Sequence, residues 1–152
     1  MNWMFYVKTT ETCNLNCKHC FTSGTSGPKV YWNTDKIIKW FNSFRKYNYH
    51  KNDTAHLEFH GGEPFLVPVS EMQYVYDATK GLWNNQSYGV TTNLVFKLKD
   101  EHIDFMKGPL GNRCGTSWDP NIRFANEKQF NLWKRNVATL IDEGVTVKLF
   151  IS

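Results

Sequence analysis

The chain has 152 residues, which fits one domain with a real core, since a domain of this size buries about 68–70% of its unfolded surface. Its 41% hydrophobic and 21% charged residues are ordinary for a water-soluble globular protein, and no run approaches the roughly eighteen apolar residues of a spanning helix. The net charge of +4 is spread along the chain, and its densest basic patch, Lys46–Lys51, is broken by Tyr47 and Tyr49, so a solvated face explains it better than a nucleic-acid surface.

Met1–Val7 is apolar but lacks a basic leader region, and Trp3–Val7 reads as a buried strand. Asn33 or Thr34 is placed to cap a helix carrying Ile37, Ile38, Phe41 and Phe44 on one face. His56–His60 reads as a second strand, and Ser70 with Gln73 as a capping box opening a helix that runs to about Trp83. Ser87–Thr92 predicts a third strand, Asp100–Lys107 a short helix, and Gly108, Pro109 and Gly111 break the chain before a fourth strand, Arg113–Ser117. Asn126 caps the clearest helix, with Phe130, Trp133, Val137, Leu140 and Ile141 at helical spacing and Gly144 where a C-terminal glycine belongs. Val145–Ile151 is a fifth, β-branched strand.

Strands alternating with helices imply an α/β fold with parallel strands and right-handed crossovers, open or curved into a partial (β/α) barrel of about five strands and four helices. In such barrels chemistry sits at the C-terminal ends of the strands. The polar clusters follow that rule: Cys13–Cys20 comes after the first strand, Gly61–Pro64 after the second, Thr92–Asn93 after the third and Ser117–Asp119 after the fourth.

Three of the four cysteines fall in Cys13-Asn-Leu-Asn-Cys17-Lys-His-Cys20. Clustered cysteines in a reducing cytoplasm, where this chain is expected to reside, indicate a metal rather than disulfides. Three thiolates on a four-iron cubane leave one iron open for a small molecule, as an open coordination position does at a catalytic zinc. The rival is a structural zinc knuckle with His19 or Cys114 as fourth ligand, although the first spacing is three residues and no second cysteine pair exists. Behind the loop comes Phe59-His60-Gly61-Gly62-Glu63-Pro64, whose paired glycines let a backbone approach a ligand with no Cβ in the way. On that reading Gly62 is bare because a ligand lies against it.

Together these motifs resemble the radical S-adenosylmethionine (SAM) superfamily, with its C-x3-C-x-Φ-C signature and GGE-type turn. Thr91-Thr92-Asn93-Leu94 is similar to the T-N-G segment that ends the third strand, with Leu94 in place of glycine. Gly115-Thr116-Ser117-Trp118-Asp119-Pro120 resembles the G-x-S-x-D-G segment of anaerobic sulfatase-maturating (SPASM-type) peptide-modifying enzymes, with Pro120 in place of glycine. The resemblance implies that Cys13, Cys17 and Cys20 hold a [4Fe-4S] cluster and that SAM chelates the fourth iron. It further implies that His19 lies against the adenine, that Gly61, Gly62 and Glu63 meet the methionyl amine mainly through the main chain, that Ser117 binds the ribose, and that Arg123 pairs with the SAM carboxylate. The implied activity is reductive cleavage of SAM to a 5′-deoxyadenosyl radical that abstracts hydrogen from a substrate. A peptide or protein side chain is the implied substrate, and a flavodoxin or ferredoxin the implied electron donor.

Residues 1–152 are expected to be a radical SAM core domain incomplete at its C-terminus, with a further segment or a partner chain against the Val145–Ile151 edge, because an apolar parallel strand wants a neighbour on each side. A split or non-catalytic radical SAM-like module that acts as an interaction subunit is the alternative. His50, His56, His60 and His102 show no ligand spacing and read as satisfied surface or core histidines. Cys114 reads as a small buried hydrophobe. Asp119 suits either substrate orientation or a turn cap, and Trp118 suits packing better than a pocket wall.

Overall fold

Five parallel strands carry helices on one face. The computed structural model describes residues 1–20, 24–26, 29–50 and 52–151, so Lys51, the end of the basic patch, lies outside the described residues. In chain order the elements are β1 (Asn2–Thr10), α1 (Thr34–Tyr47), β2 (Thr54–Gly61), α2 (Val69–Thr79), β3 (Asn85–Val90), α3 (Asp100–Lys107), β4 (Arg113–Trp118), α4 (Pro120–Arg123), α5 (Glu127–Asp142) and β5 (Thr146–Ile151), with 3-10 turns at Gly24–Ser26 and Pro64–Leu66. The sheet is in two pieces, β1-β2-β3 and β4-β5, joined by an isolated parallel bridge between Thr91 and Gly115. This is the expected open, partial barrel, with one short helix more than the sequence suggested.

Residues one apart on a strand face opposite ways. On the outer face Trp3, Phe5 and Val7 of β1, Leu57 and Phe59 of β2, and Tyr88 and Val90 of β3 meet the helices. Phe5 packs edge-on to Phe41 and Phe44 of α1, each with centroids 5.3 Å away, and Phe59 faces Phe105 of α3 at 5.9 Å. Most aromatic residues are thus core, and burying a side chain such as Phe59 contributes roughly 1.5–3 kcal/mol. The inner face is polar and half-open, with Tyr6, His56 and Glu58 along it.

Asn33 caps α1 by accepting from the Lys36 amide at 2.9 Å, and Asn126 caps α5 by accepting from Gln129 at 3.0 Å. Gly144, with φ +82°, follows the last residues of α5 as expected. The Ser70–Gln73 capping box does not form. Pro68, with φ −54°, presets the start of α2 one residue ahead of Val69, so Ser70 falls inside the first turn, and the helix stops at Thr79 rather than near Trp83. Ile141, assigned to the apolar stripe of α5, is 57% exposed, because its neighbour Leu140, 0% exposed, takes the core-facing position in the last turn. Among the described residues β5 pairs on one side only, with β4.

Beyond β3 the chain turns sharply at Leu94, which adopts φ +55° while its side chain is fully buried. The left-handed conformation costs a residue with a Cβ about 1–2 kcal/mol, and glycine takes it freely. The buried leucine therefore stabilises the core while straining the turn. Both substitutions here are expected to destabilise, but in an unusual order: Leu94→Gly by about 1–3 kcal/mol and Leu94→Ala by about 1 kcal/mol more, because alanine empties the core and keeps the strain. Urea unfolding of the two variants checks the order.

Candidate functional site

The cysteine loop is held at its start by the turn after the neighbouring strand. Thr10 Oγ1 donates to the Val30 carbonyl (2.6 Å) and accepts from the Thr12 amide (3.0 Å), closing the end of β1. Gly62 N donates to Thr10 O and Glu63 N to Thr12 O, both at 2.9 Å. Leu15, 2% exposed, plugs the middle of the loop into the core. The far half leans on α4: the Lys18 amide reaches Ile122 O at 3.5 Å and the Cys17 thiol donates to Arg123 O at 3.8 Å. Pro120 opens α4 at a position where no amide donor is missed.

The glycine pair is bare for a reason other than the one read from the sequence. A Cβ on Gly61 would fall on the Thr10 carbonyl oxygen, and one on Gly62 on the Thr12 carbonyl oxygen. Gly61 also has φ +147°. The backbone that presses against Gly62 belongs to the cysteine loop itself. Both glycines still line the adjoining cavity.

Glu63 lies under that cavity, with no exposed surface. Oε1 accepts from the Phe65 amide (3.0 Å) and Thr92 Oγ1 (2.7 Å), and Oε2 from the Asn93 amide (2.7 Å). The side chain therefore ties the turn after β2 to the end of β3. Burial pushes its carboxyl up to about 7 even though these three donors and the Arg123 cation favour the ionised form. Asn93 in turn donates through Nδ2 to Asn14 Oδ1 (2.7 Å) and stands 3.6 Å from Cys13 Sγ, while the Leu15 amide is 3.4 Å from the same sulfur.

A cavity of about 200 Å³ opens over this network at the C-terminal ends of the strands. Cys13, Cys17, His19 and Cys20 line one side, Gly61 and Gly62 the floor, and Ser117 and Arg123 the wall from β4 and α4. Asp119, 5% exposed, binds Arg123 by a fork (Nε to Oδ1 2.5 Å, Nη2 to Oδ2 3.3 Å), and its Oδ2 lies 3.0 Å from His19 Nε2. One carboxylate thus holds a cysteine-loop residue and a rim arginine together, and the Asp119 side chain makes no cap hydrogen bond to α4. Trp118 packs on Trp133 with centroids 5.0 Å apart, as expected.

The donor set suits an iron–sulfur cluster. Burial pushes the Cys13 and Cys17 thiols up, opposed at Cys17 by the Arg123 cation; Cys13 and Cys20 raise Cys17 further, and Glu63 and Cys20 raise Cys13. Metal binding displaces those protons. Cys13, Cys17 and Cys20 share the lining of the cavity, and among the described residues no three His, Cys, Asp or Glu side chains are grouped to hold a single metal ion. The fourth cysteine takes no part: Cys114 is 2% exposed in the core, and burial pushes its thiol up to about 12.

Of the residues the sequence assigned to the cluster or to SAM, only Glu63 does not line the cavity; His19, Gly61, Gly62, Ser117, Arg123 and the three cysteines all do. His60, read as a satisfied histidine, is in the lining too, along with Thr91, Thr92 and Asn93. The signal for His60 is its parity on β2, which puts it on the inner face with His56 and Glu58 at the strand's C-terminal end. His56 itself is satisfied, by Ser87 Oγ (2.8 Å) and Glu58 Oε2 (2.9 Å).

The family described as a 4Fe-4S single cluster domain matches residues 3–107. No curated protein matches the chain. Among solved structures, native anSMEcpe with bound AdoMet and Cp18Cys peptide superposes with a TM-score of 0.76 at 14% identity, over 98% of this chain and 42% of that one. The FeFe-hydrogenase maturase HydG from Carboxydothermus hydrogenoformans superposes at 0.65, with 14% identity over 99% of this chain and 36% of that one. The chain spans about two fifths of the length of the proteins it superposes on, and at these identities the likeness is one of fold. Family and fold together bear out the resemblance read from the sequence.

Gly62→Val is expected to displace the Thr12 carbonyl and with it the cysteine loop, so that cluster loading falls together with stability; iron content and thermal unfolding measure both. Glu63 makes stability pH-dependent. Below pH 4.5 its carboxyl is protonated folded or unfolded; above that the unfolded chain ionises first, so the folded state loses about 3 kcal/mol by pH 7. In urea unfolding of the cluster-free chain between pH 4.5 and 7.5, the difference between wild type and Glu63→Gln is expected to follow that decline.

Proposed function

The chain belongs to the 4Fe-4S single cluster domain family, and from that premise we propose that it is the core of a radical SAM enzyme. The observation that carries the reading is the convergence of Cys13, Cys17 and Cys20 with Gly61, Gly62, Ser117 and Arg123 on one cavity at the C-terminal ends of the strands. When bound, the cluster supplies one electron at low potential, which cleaves SAM to methionine and a 5′-deoxyadenosyl radical able to abstract hydrogen from a substrate.

The residues of this chain bind, orient and shield. Cys13, Cys17 and Cys20 would hold the cluster as thiolates and, being three, would leave one iron free for SAM. The Gly61–Gly62 floor offers main-chain groups to the methionyl amine. Arg123 is suited to the methionyl carboxylate because its planar fork matches it, and Asp119 fixes the direction of that guanidinium. The same Asp119 steadies His19 for contact with the adenine, and the Ser117 hydroxyl reaches from β4 for the ribose. Glu63, enclosed and fully hydrogen-bonded, holds the floor in place and takes no proton in the reaction. The substrate is a peptide or protein side chain, a reading supported by the superposition on anSMEcpe, and the electron donor is of the flavodoxin or ferredoxin kind.

The test is anaerobic reconstitution with iron and sulfide followed by incubation with SAM and dithionite. A brown protein that yields 5′-deoxyadenosine and methionine is expected. Replacing any one of Cys13, Cys17 or Cys20 by Ala is expected to abolish cluster retention, whereas Cys114→Ala leaves iron content nearly intact. A colourless protein that binds one zinc, or a cluster that needs Cys114, overturns the proposal.

A further inference from the structure

Cys13 differs from Cys17 in what faces its sulfur. The Cys17 sulfur meets a carbonyl oxygen, that of Arg123. The Cys13 sulfur, with the Asn14 side-chain oxygen Oδ1 farther off at 4.0 Å, meets two N–H donors, the Leu15 amide at 3.4 Å and the Asn93 side chain at 3.6 Å. The first donor comes with any short loop of this shape. The second is brought from β3, eighty residues away in the chain.

Asn93 is held in that position from every side. It is 5% exposed. Its backbone N–H is fixed by Glu63 Oε2, and its Oδ1 accepts from the Val95 amide at 2.7 Å. Since the Val95 amide needs an acceptor, the amide group of Asn93 cannot flip, and Nδ2, the donor end, must face Asn14 and Cys13. Asn14 is itself locked by Nδ2 donating to Val95 O at 2.5 Å. The next residue is Leu94 in its strained left-handed conformation, which turns the chain so that the amide of Asn93 meets Glu63 while its side chain meets the cysteine loop. Backbone strain held by surrounding structure is typical of positions where orientation matters.

We propose that Asn93 is a positioning residue that tunes the cluster: its Nδ2–H donates to the Cys13 sulfur and raises the reduction potential above that set by the three thiolates alone. The inference rests on the site being a cluster site. The physical ground is that a reduced cluster carries one more negative charge, spread onto its sulfurs, so an N–H donor stabilises the reduced form more than the oxidised one; hydrogen bonds to sulfur are among the levers that set these potentials. Asn93 stands between that sulfur and the buried Glu63 carboxylate, so the donor also offsets a nearby negative group.

The experiment is a redox titration followed by electron paramagnetic resonance on anaerobically reconstituted wild type, Asn93→Asp and Asn93→Ala, with iron and sulfide content measured for each. Asp keeps the shape and the acceptor for Val95 but turns an anionic oxygen toward Cys13; Ala removes the group. Asn93→Asp is expected to lower the reduced-to-oxidised ratio at a fixed potential at least tenfold, which is 59 mV for one electron, and Asn93→Ala to shift it less in the same direction. A purely structural tie would change loading and leave the potential of the loaded fraction alone. Equal potentials in all three proteins, a shift upward, or loss of the cluster from both variants overturns the proposal while the reading of the site stands. A wild-type chain that takes up no iron and sulfide overturns that reading and the proposal with it.

Discussion

A single buried carboxylate holds the site together. Glu63 collects donors from its own turn and from the end of β3, and through Asn93 it is connected to the first cysteine. Three segments far apart in sequence, 10–15, 61–65 and 92–95, thereby become one unit. An ionised group in so enclosed a place is costly, and it persists only where strong, directed hydrogen bonds compensate. With the carboxyl pushed up to about 7, the burial penalty still exceeds the compensation, so keeping Glu63 ionised in this place costs the fold stability.

The glycines belong to the same constraint. Parallel strands sit about 4.8 Å apart, and side chains normally keep the connections beyond their ends from approaching as closely. With no Cβ at 61 and 62 the turn after β2 drops onto the carbonyls of Thr10 and Thr12, so the cysteine loop leaves β1 in a fixed direction. On the opposite side Asp119 reaches the loop through His19 and through Arg123. The loop is gripped at both ends, while the cavity side of its thiols is left open.

Much of this was legible in the sequence because strand parity, helix caps and cysteine spacing are local signals. Asn33, Asn126 and Gly144 cap as read, and the rim of polar clusters follows from the alternation of strands and helices. What was illegible is long-range. Glu63 was read as meeting a ligand mainly through its main chain, and what its side chain does was not legible; only the three-dimensional packing shows that Thr92 and Asn93, just after β3, claim it. The reason for Gly62 was misread in the same way, since nothing in a sequence says which backbone a bare Cα faces. His60 was passed over because a spacing argument looks for pairs, and its significance lies in which face of β2 it shares. The start of α2 was missed because Pro68 outranks a serine side chain in setting where a helix begins.

The division of the sheet has a mechanical consequence. The cavity's two walls belong to separate hydrogen-bond ladders, with thiols and glycines on β1-β2-β3 and Ser117 and Arg123 on β4 and α4. Between them run the Thr91–Gly115 bridge with its bond from the Thr92 amide to Gly115 O at 2.9 Å, Arg113 Nε to Tyr88 O at 3.3 Å, Asn136 Nδ2 to the Leu94 and Phe96 carbonyls at 2.9 and 2.8 Å, and the contacts of Asp119 and α4 with the cysteine loop. The main-chain part of this seam, at about 1 kcal/mol net for each hydrogen bond, is far smaller than the eight-residue register that joins β1 to β2. The two walls of the cavity are therefore joined chiefly by side chains, so a substitution at Arg113, Asn136 or Asp119 would loosen one ladder against the other without breaking either.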